Sequence, residues 1–242
     1  MGLFEIFKKK DTTNEAKKQD ISFDKNSLEK NEENNNTKVD VTISEEYEIT
    51  KKATIFETGG GRPTKELLES WIGAVNYQKE EDKDLFSKEN FKPLAMIFLE
   101  NLPYVPESVS NIKLINVFMS EEIWNAKDID IEKYFIIRTY NDLNDLVKCD
   151  YTNSNIKAFP LFPKLVEDDT SMDNSEGNKY YNHKVGGFET FCQEPIAVAD
   201  GYEFIFQITS DEKAGLNIVD GGNFYFYYNK EKDDWIVNYD FY

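Results

Sequence analysis

The stretch TKELLESWIGAVNY, Thr64–Tyr77, decides which class of fold the chain is read to have. Leu67, Leu68, Trp71, Ile72 and Val75 recur at helical spacing and share one apolar face. Pro63 stands just ahead, and Thr64 offers a hydroxyl to the orphan amides of a first turn. The spacing predicts an amphipathic helix. A shorter helix is expected over NDLNDLVKC, 141–149, with Asn141 as its cap. Around these two segments the chain reads as strands: PLAMIFLENL (93–102), IKLINVFM (112–119), YFIIRTY (134–140), YEFIFQITS (202–210), NFYFYY (223–228) and WIVNYDFY (235–242). IKAFPLFPKLVEDD (156–169) is extended, and its Pro160 and Pro163 lack ladder donors, which places it at a sheet edge. The 18 Phe and 14 Tyr support a β-rich core, because aromatic rings fit a pleated, half-buried surface. NFYFYY is apolar on both faces and reads as a central, buried strand. The expected class is therefore α+β: mostly antiparallel sheet with a few short helices.

The 242-residue chain carries a formal charge of −18. Duplex binding rests on Lys and Arg neutralising phosphates, so nucleic acid is excluded as a partner. A protein partner with a basic surface fits that charge better. Cys149 and Cys192 form no C-x-x-C and no Cys/His cluster, which argues against zinc and against a disulfide framework. No cofactor or metal is expected. Two thiols in a chain of this size suit a reducing, cytoplasmic setting. No apolar run reaches the ~18 residues of a transmembrane helix.

Residues 1–50 read as a disordered segment and linker, too poor in large apolar residues to offset the entropy of ordering. Met1–Lys10, MGLFEIFKKK, is an apolar patch followed by three lysines. It reads as a frayed terminus or docking peptide, with weak contact to an anionic membrane as the minor alternative. The folded domain is placed at 51–242.

Within that domain two halves, about 51–148 and 156–242, follow one pattern. Each has a glycine turn, an apolar strand ending in a polar or acidic residue, and a second apolar strand ending in charge. Two such units can cover each other's sheet face. On this pattern Gly186–Gly187 matches Gly60–Gly61. His183, the single histidine, has no match, since Thr58 occupies that region of the first half.

The segment HKVGGFETFCQEP (183–195) resembles the H-K-x-G-G segment of the bacterial YwqG-like proteins, the domain of unknown function 1963. YEFIFQITSD resembles that family's glutamine-containing strand. NIVDGGNFYFYYNKE resembles its Asp-x-Gly segment, with Asp220 and Gly222 in the matching places. Upstream, TGGGRP and PLAMIFLENLP resemble its first glycine turn and strand. The likeness spans roughly 55–242 and is most specific near the C-terminus. Thr190 stands where the family often has proline or an aromatic, and Met96 where its first half usually has glutamine. The resemblance implies a duplicated, mostly antiparallel α+β fold and no established activity.

His183 is the first candidate for chemistry. A catalytic histidine needs a nucleophile or substrate proton in reach, and an orienting carboxylate. Cys192 lies nearby in sequence, but nothing around it marks a nucleophile. A structural hydrogen bond is the expected role for His183. Asp211 and Asp220 are expected to approach each other across a hairpin mouth as solvated turn acids. The candidate ligand-binding set is His183, Gly186, Gly187, Gln207, Asp211, Asp220 and Gly222. Trp235, Tyr239 and Tyr242, near the chain end, are the candidate partner surface. The function expected is non-catalytic protein binding, of a scaffolding or neutralising, immunity-like kind. The alternative is an enzyme or small-ligand site near His183, Cys192 and Asp220.

Overall fold

The protein is described by a computed structural model over residues 50–59, 66–67, 69–83, 90–125, 131–169 and 181–241. Among these residues there is no α-helix; helical geometry is confined to 3-10 turns at Glu80–Asp82, Glu107–Val109, Glu121–Asn125 and Glu132–Tyr134. The regular structure is strand: β1 (Thr50–Thr58), β2 (Ser70–Ile72), β3 (Ala74–Lys79), β4 (Phe91–Phe98), β5 (Leu114–Ser120), β6 (Phe135–Tyr140), β7 (Leu146–Thr152), β8 (Phe159–Asp169), β9 (Lys184–Gly186), β10 (Glu203–Thr209), β11 (Asn223–Asn229) and β12 (Asp234–Asp240). The fold is all-β and antiparallel, which corrects the α+β expectation.

The correction turns on 64–77. Its described part supplies β2 and β3, hinged at Gly73, whose φ of +71° lies in the left-handed region. β2 is buried on both faces: Ile72 enters the main core and Trp71 a second cluster on the other side. A short strand apolar on both faces gives a continuous run that periodicity cannot tell from helix. The second expected helix, over 141–149, fails as well. Leu146–Cys149 belongs to β7, which pairs with β3 in a small separate sheet.

The remaining strands form one ten-stranded sheet in the order β12-β11-β10-β9-β1-β8-β2-β4-β5-β6. Reading inward from either end gives the same series: a three-strand meander, a three-residue strand, then a long central strand. The centre is crossed, because β1 pairs with β9 and β8 pairs with β2. Each half thus lends its long strand to the other. Registers agree between the ends. Trp71 faces Met96, as Lys184 faces Gln207; Ile72 faces Ala95, as Val185 faces Phe206. A bulge interrupts β4 between Pro93 and Ala95 and β10 between Phe204 and Phe206, the corresponding place. By this register the match of Gly186 is Gly73, with φ of +74° and +71°. Gly60 and Gly61, paired with Gly186–Gly187 on the sequence pattern, lie outside the described residues.

β8 is central, not an edge strand. Its prolines are tolerated because their missing donors fall where the ladders have ended. The Pro160 carbonyl accepts the Gly59 amide, so Pro160 faces the β1 side just past the last β1 pair, Thr58–Leu161. Pro163 faces the opposite side, beyond the end of β2 at Ser70–Leu161.

The sheet curls until its ends approach. Phe135 of β6 meets Phe224 and Phe226 of β11 edge-on at 5.1 and 5.6 Å. β11 is buried along its whole length, with Phe224, Phe226 and Tyr228 in the main core. No described helix is long and apolar enough to cross a membrane.

Candidate functional site

His183 immediately precedes β9 and is 3% exposed. Its carbonyl accepts the Phe56 amide at 2.9 Å, which fixes the backbone against β1. The Thr209 amide donates to Nδ1 at 3.1 Å. The ring proton is thereby placed on Nε2, which donates to Asp211 Oδ2 at 3.2 Å. The Thr58 hydroxyl donates to the same oxygen at 2.5 Å, and the Ala214 amide to Oδ1 at 3.0 Å. Burial alone would raise the Asp211 carboxyl, but the hydrogen bonds from His183, Thr58 and Ala214 outweigh it. They hold the acid well below the usual carboxylate range.

The register supplies His183 with a counterpart after all. Ser70 precedes Trp71 as His183 precedes Lys184, and Ser70 Oγ accepts the Phe98 amide at 2.9 Å. Serine and histidine thus do one job, satisfying an amide at the end of the neighbouring strand. An open cleft of about 410 Å³ adjoins this point, lined by Phe56, Thr58, Tyr181, His183, Asp211 and Lys213. Lys213 closes one side by donating to the Thr58 and Gly59 carbonyls at 2.7 and 3.1 Å.

Lys184, next along β9, is 1% exposed and donates to Asp168 Oδ2 at 2.7 Å and to Thr190 Oγ1 at 2.8 Å. Asp168 Oδ2 also accepts the Phe188 amide at 2.9 Å, while Oδ1 is buried without a protein partner. Gly186 and Gly187 make room for this. A Cβ on Gly187 would strike Asp168 Oδ2, and one on Gly186 would strike the Tyr104 ring. The glycines therefore serve close packing and left-handed backbone.

Gln207, Thr190, Tyr225 and Asp240 pin the segment after Gly187 onto the sheet. Gln207 Oε1 accepts the Thr190 amide at 3.1 Å, and Asn223 Nδ2 donates to the Thr190 carbonyl at 2.8 Å. The Tyr225 hydroxyl donates to Asp240 Oδ1 at 2.7 Å; burial, then this bond, pushes its ionisation far above the ordinary value. Asp240 Oδ2 accepts the Cys192 amide at 2.6 Å. At the matching positions of the other half, Met96 Sδ accepts the Asn76 amide at 3.4 Å and Asn116 donates to the Tyr77 carbonyl at 2.7 Å. Tyr140 there donates to Asp82 at 2.9 Å. Each half uses the same three strand positions to hold its own excursion.

Of the other candidates, Asp211 stays with His183. Asp211 forms a bridge with Leu216 and turns its carboxylate to His183. Asp220 is exposed in a turn at φ +48°. Gly222 is buried where a Cβ would meet the Asp240 carbonyl. Trp235 and Tyr239 are half-buried on β12 and pack against the main core; Tyr242 lies outside the described residues. Cys192 Sγ is 3.4 Å from Asn223 Nδ2. Burial pushes the Cys149 thiol up to about 12. Among the described residues, no group of three His, Cys, Asp or Glu side chains could hold a metal ion.

Lys184, Asp168, Thr190 and Ser70 escape sequence reasoning. The Lys184 partner lies on β8, and only the cross-sheet register brings the two together. The one sequence signal was the lysine's place inside the glycine segment.

Fold and site together define an all-β domain in which two corresponding strand sets exchange their long central strands and pin their loops with buried polar side chains. A family model described as domain of unknown function (DUF1963) matches residues 4–234, and the chain belongs to that family. No curated protein matches it.

Proposed function

We propose that the protein is a non-catalytic, cytoplasmic binding protein that scaffolds or neutralises a protein partner with a basic surface. The observation that carries the reading is the state of His183. Both ring nitrogens are engaged, Nδ1 by the Thr209 amide and Nε2 by Asp211, and the side chain is buried. A general base needs a free lone pair aimed at substrate, and this ring offers none. The −18 charge supports a basic partner. Tagged full-length protein incubated with lysate of its native cells at physiological salt tests the proposal by pull-down and mass spectrometry. Recovery of one stoichiometric protein is the expected result, and recovery of none counts against it.

A second reading, a small polar ligand in the cleft beside His183 and Asp211, is favoured by the cleft's size of about 410 Å³. His183→Ala with no change in the binding of any metabolite in a ligand screen would dispose of it.

A further inference from the structure

The two end strands of the large sheet, β6 and β12, are joined by no ladder among the described residues. The seam between them opens into a slot of about 240 Å³, lined by Phe135, Ile137, Trp235 and Val237, with Glu132, Asp233 and Asp234 among its walls. Phe135 and Val237 belong to the main core and Ile137 and Trp235 pack against it, so the slot opens onto the wall of that core. Trp235 is held in place, its ring 4.8 Å from Tyr228 and 5.8 Å from Phe206. Two of the acids are fixed by tyrosines: the Tyr228 hydroxyl donates to Asp233 Oδ1 and the Tyr202 hydroxyl to Asp234 Oδ2, each at 2.7 Å. Both carboxylates keep further acceptor capacity.

We propose that this seam is the docking groove for an extended basic segment of a partner protein, with one arginine side chain entering the slot. The proposal rests on the protein-binding reading above. The chemistry selects the occupant. The slot has room for a single long side chain. Its apolar walls suit an aliphatic stem, and Trp235 suits a stacked guanidinium. The carboxylates suit the guanidinium's fork of donors. A second copy of the chain is disfavoured, because each copy carries −18. Among the described residues β6 and β12 each have one edge without a strand neighbour, and such an edge offers the segment's backbone a ladder partner.

The test is fluorescence anisotropy on the full-length protein with a fluorescein-labelled decapeptide of alternating arginine and valine. A twin with glutamine for arginine is the control. The arginine peptide is expected to bind and the twin not. Asp233→Asn with Asp234→Asn should weaken binding at least about tenfold. Asparagine tolerates the left-handed backbone at 233, where φ is +52°, so this variant keeps its fold. Asp145→Asn with Asp150→Asn removes equal charge from exposed sites elsewhere and should leave binding unchanged. No binding by wild type, or equal weakening in the two double variants, overturns the proposal. Pull-down with wild type and the 233/234 variant separates it from the broader reading. A partner captured equally by both sinks the slot alone; a partner captured by neither counts against protein binding itself.

Discussion

His183 Nδ1 accepts the Thr209 amide at 3.1 Å in the same place where Ser70 Oγ accepts the Phe98 amide at 2.9 Å. The two residues correspond through the ladder registers, Trp71–Met96 and Lys184–Gln207. The correspondence makes the histidine a strand-end acceptor. His183→Ala should leave a buried amide unsatisfied and lower unfolding stability by about 1–3 kcal/mol. His183→Asn, which keeps an acceptor, should recover part of that. Urea denaturation of the three proteins checks it, and an unmoved midpoint for the alanine variant would refute the structural role.

Asp211 gives a pH signature. Its folded-state pKa is depressed from the ordinary 3.8 by the bonds from His183, Thr58 and Ala214, which prevail over burial. Below that ordinary value the unfolded chain binds the proton more readily than the folded one, so stability falls as pH falls. The contribution is fully present above the unfolded value and is lost progressively below it. Asp211→Asn should therefore be less stable than wild type at neutral pH, and the gap should narrow below about pH 4. A gap constant from pH 7 to pH 2 in denaturant titrations would count against the assignment.

Lys184 and Asp168 form an ion pair with side chains 0% and 1% exposed. Lys184→Met strands a buried carboxylate and should cost about 3–5 kcal/mol. Lys184→Met with Asp168→Leu removes both charges and should cost less than the single change. Thermal and urea unfolding of the single and double variants test this; a double variant no more stable than Lys184→Met alone would contradict it.

Gly73 and Gly186 share left-handed φ values of +71° and +74°. A Cβ on Gly73 would lie 2.9 Å from the Lys157 carbonyl, and one on Gly186 would strike the Tyr104 ring. The left-handed conformation alone costs an alanine roughly 1–2 kcal/mol. Each alanine variant should therefore destabilise by at least that amount. Near-neutral alanine variants, measured by denaturant midpoint, would show that these turns relax freely.

Strand composition was legible residue by residue. NFYFYY, with aromatics on both faces, became a fully buried strand between two neighbours. TKELLESWIGAVNY was misread because its apolar residues meet helical spacing and also serve a strand buried on both faces. Choosing between them required knowing that β4 and β8 flank β2. Pro160 and Pro163 were misplaced for a related reason. A missing donor matters only where a partner strand continues, and the lengths of the neighbouring strands are set by the rest of the sheet.

Residue by residue, the chain reads as aromatic, acidic and strand-forming, with a single histidine. These follow from side-chain volume, charge and backbone freedom, which are local properties. The exchange of β1 and β8 between the two strand sets, the equivalence of Ser70 with His183, and the burial of Lys184 on Asp168 arise only from the packed sheet. Each depends on which strands lie side by side. That choice is made by burying both faces of the sheet at once, a property of the whole fold that no single segment carries.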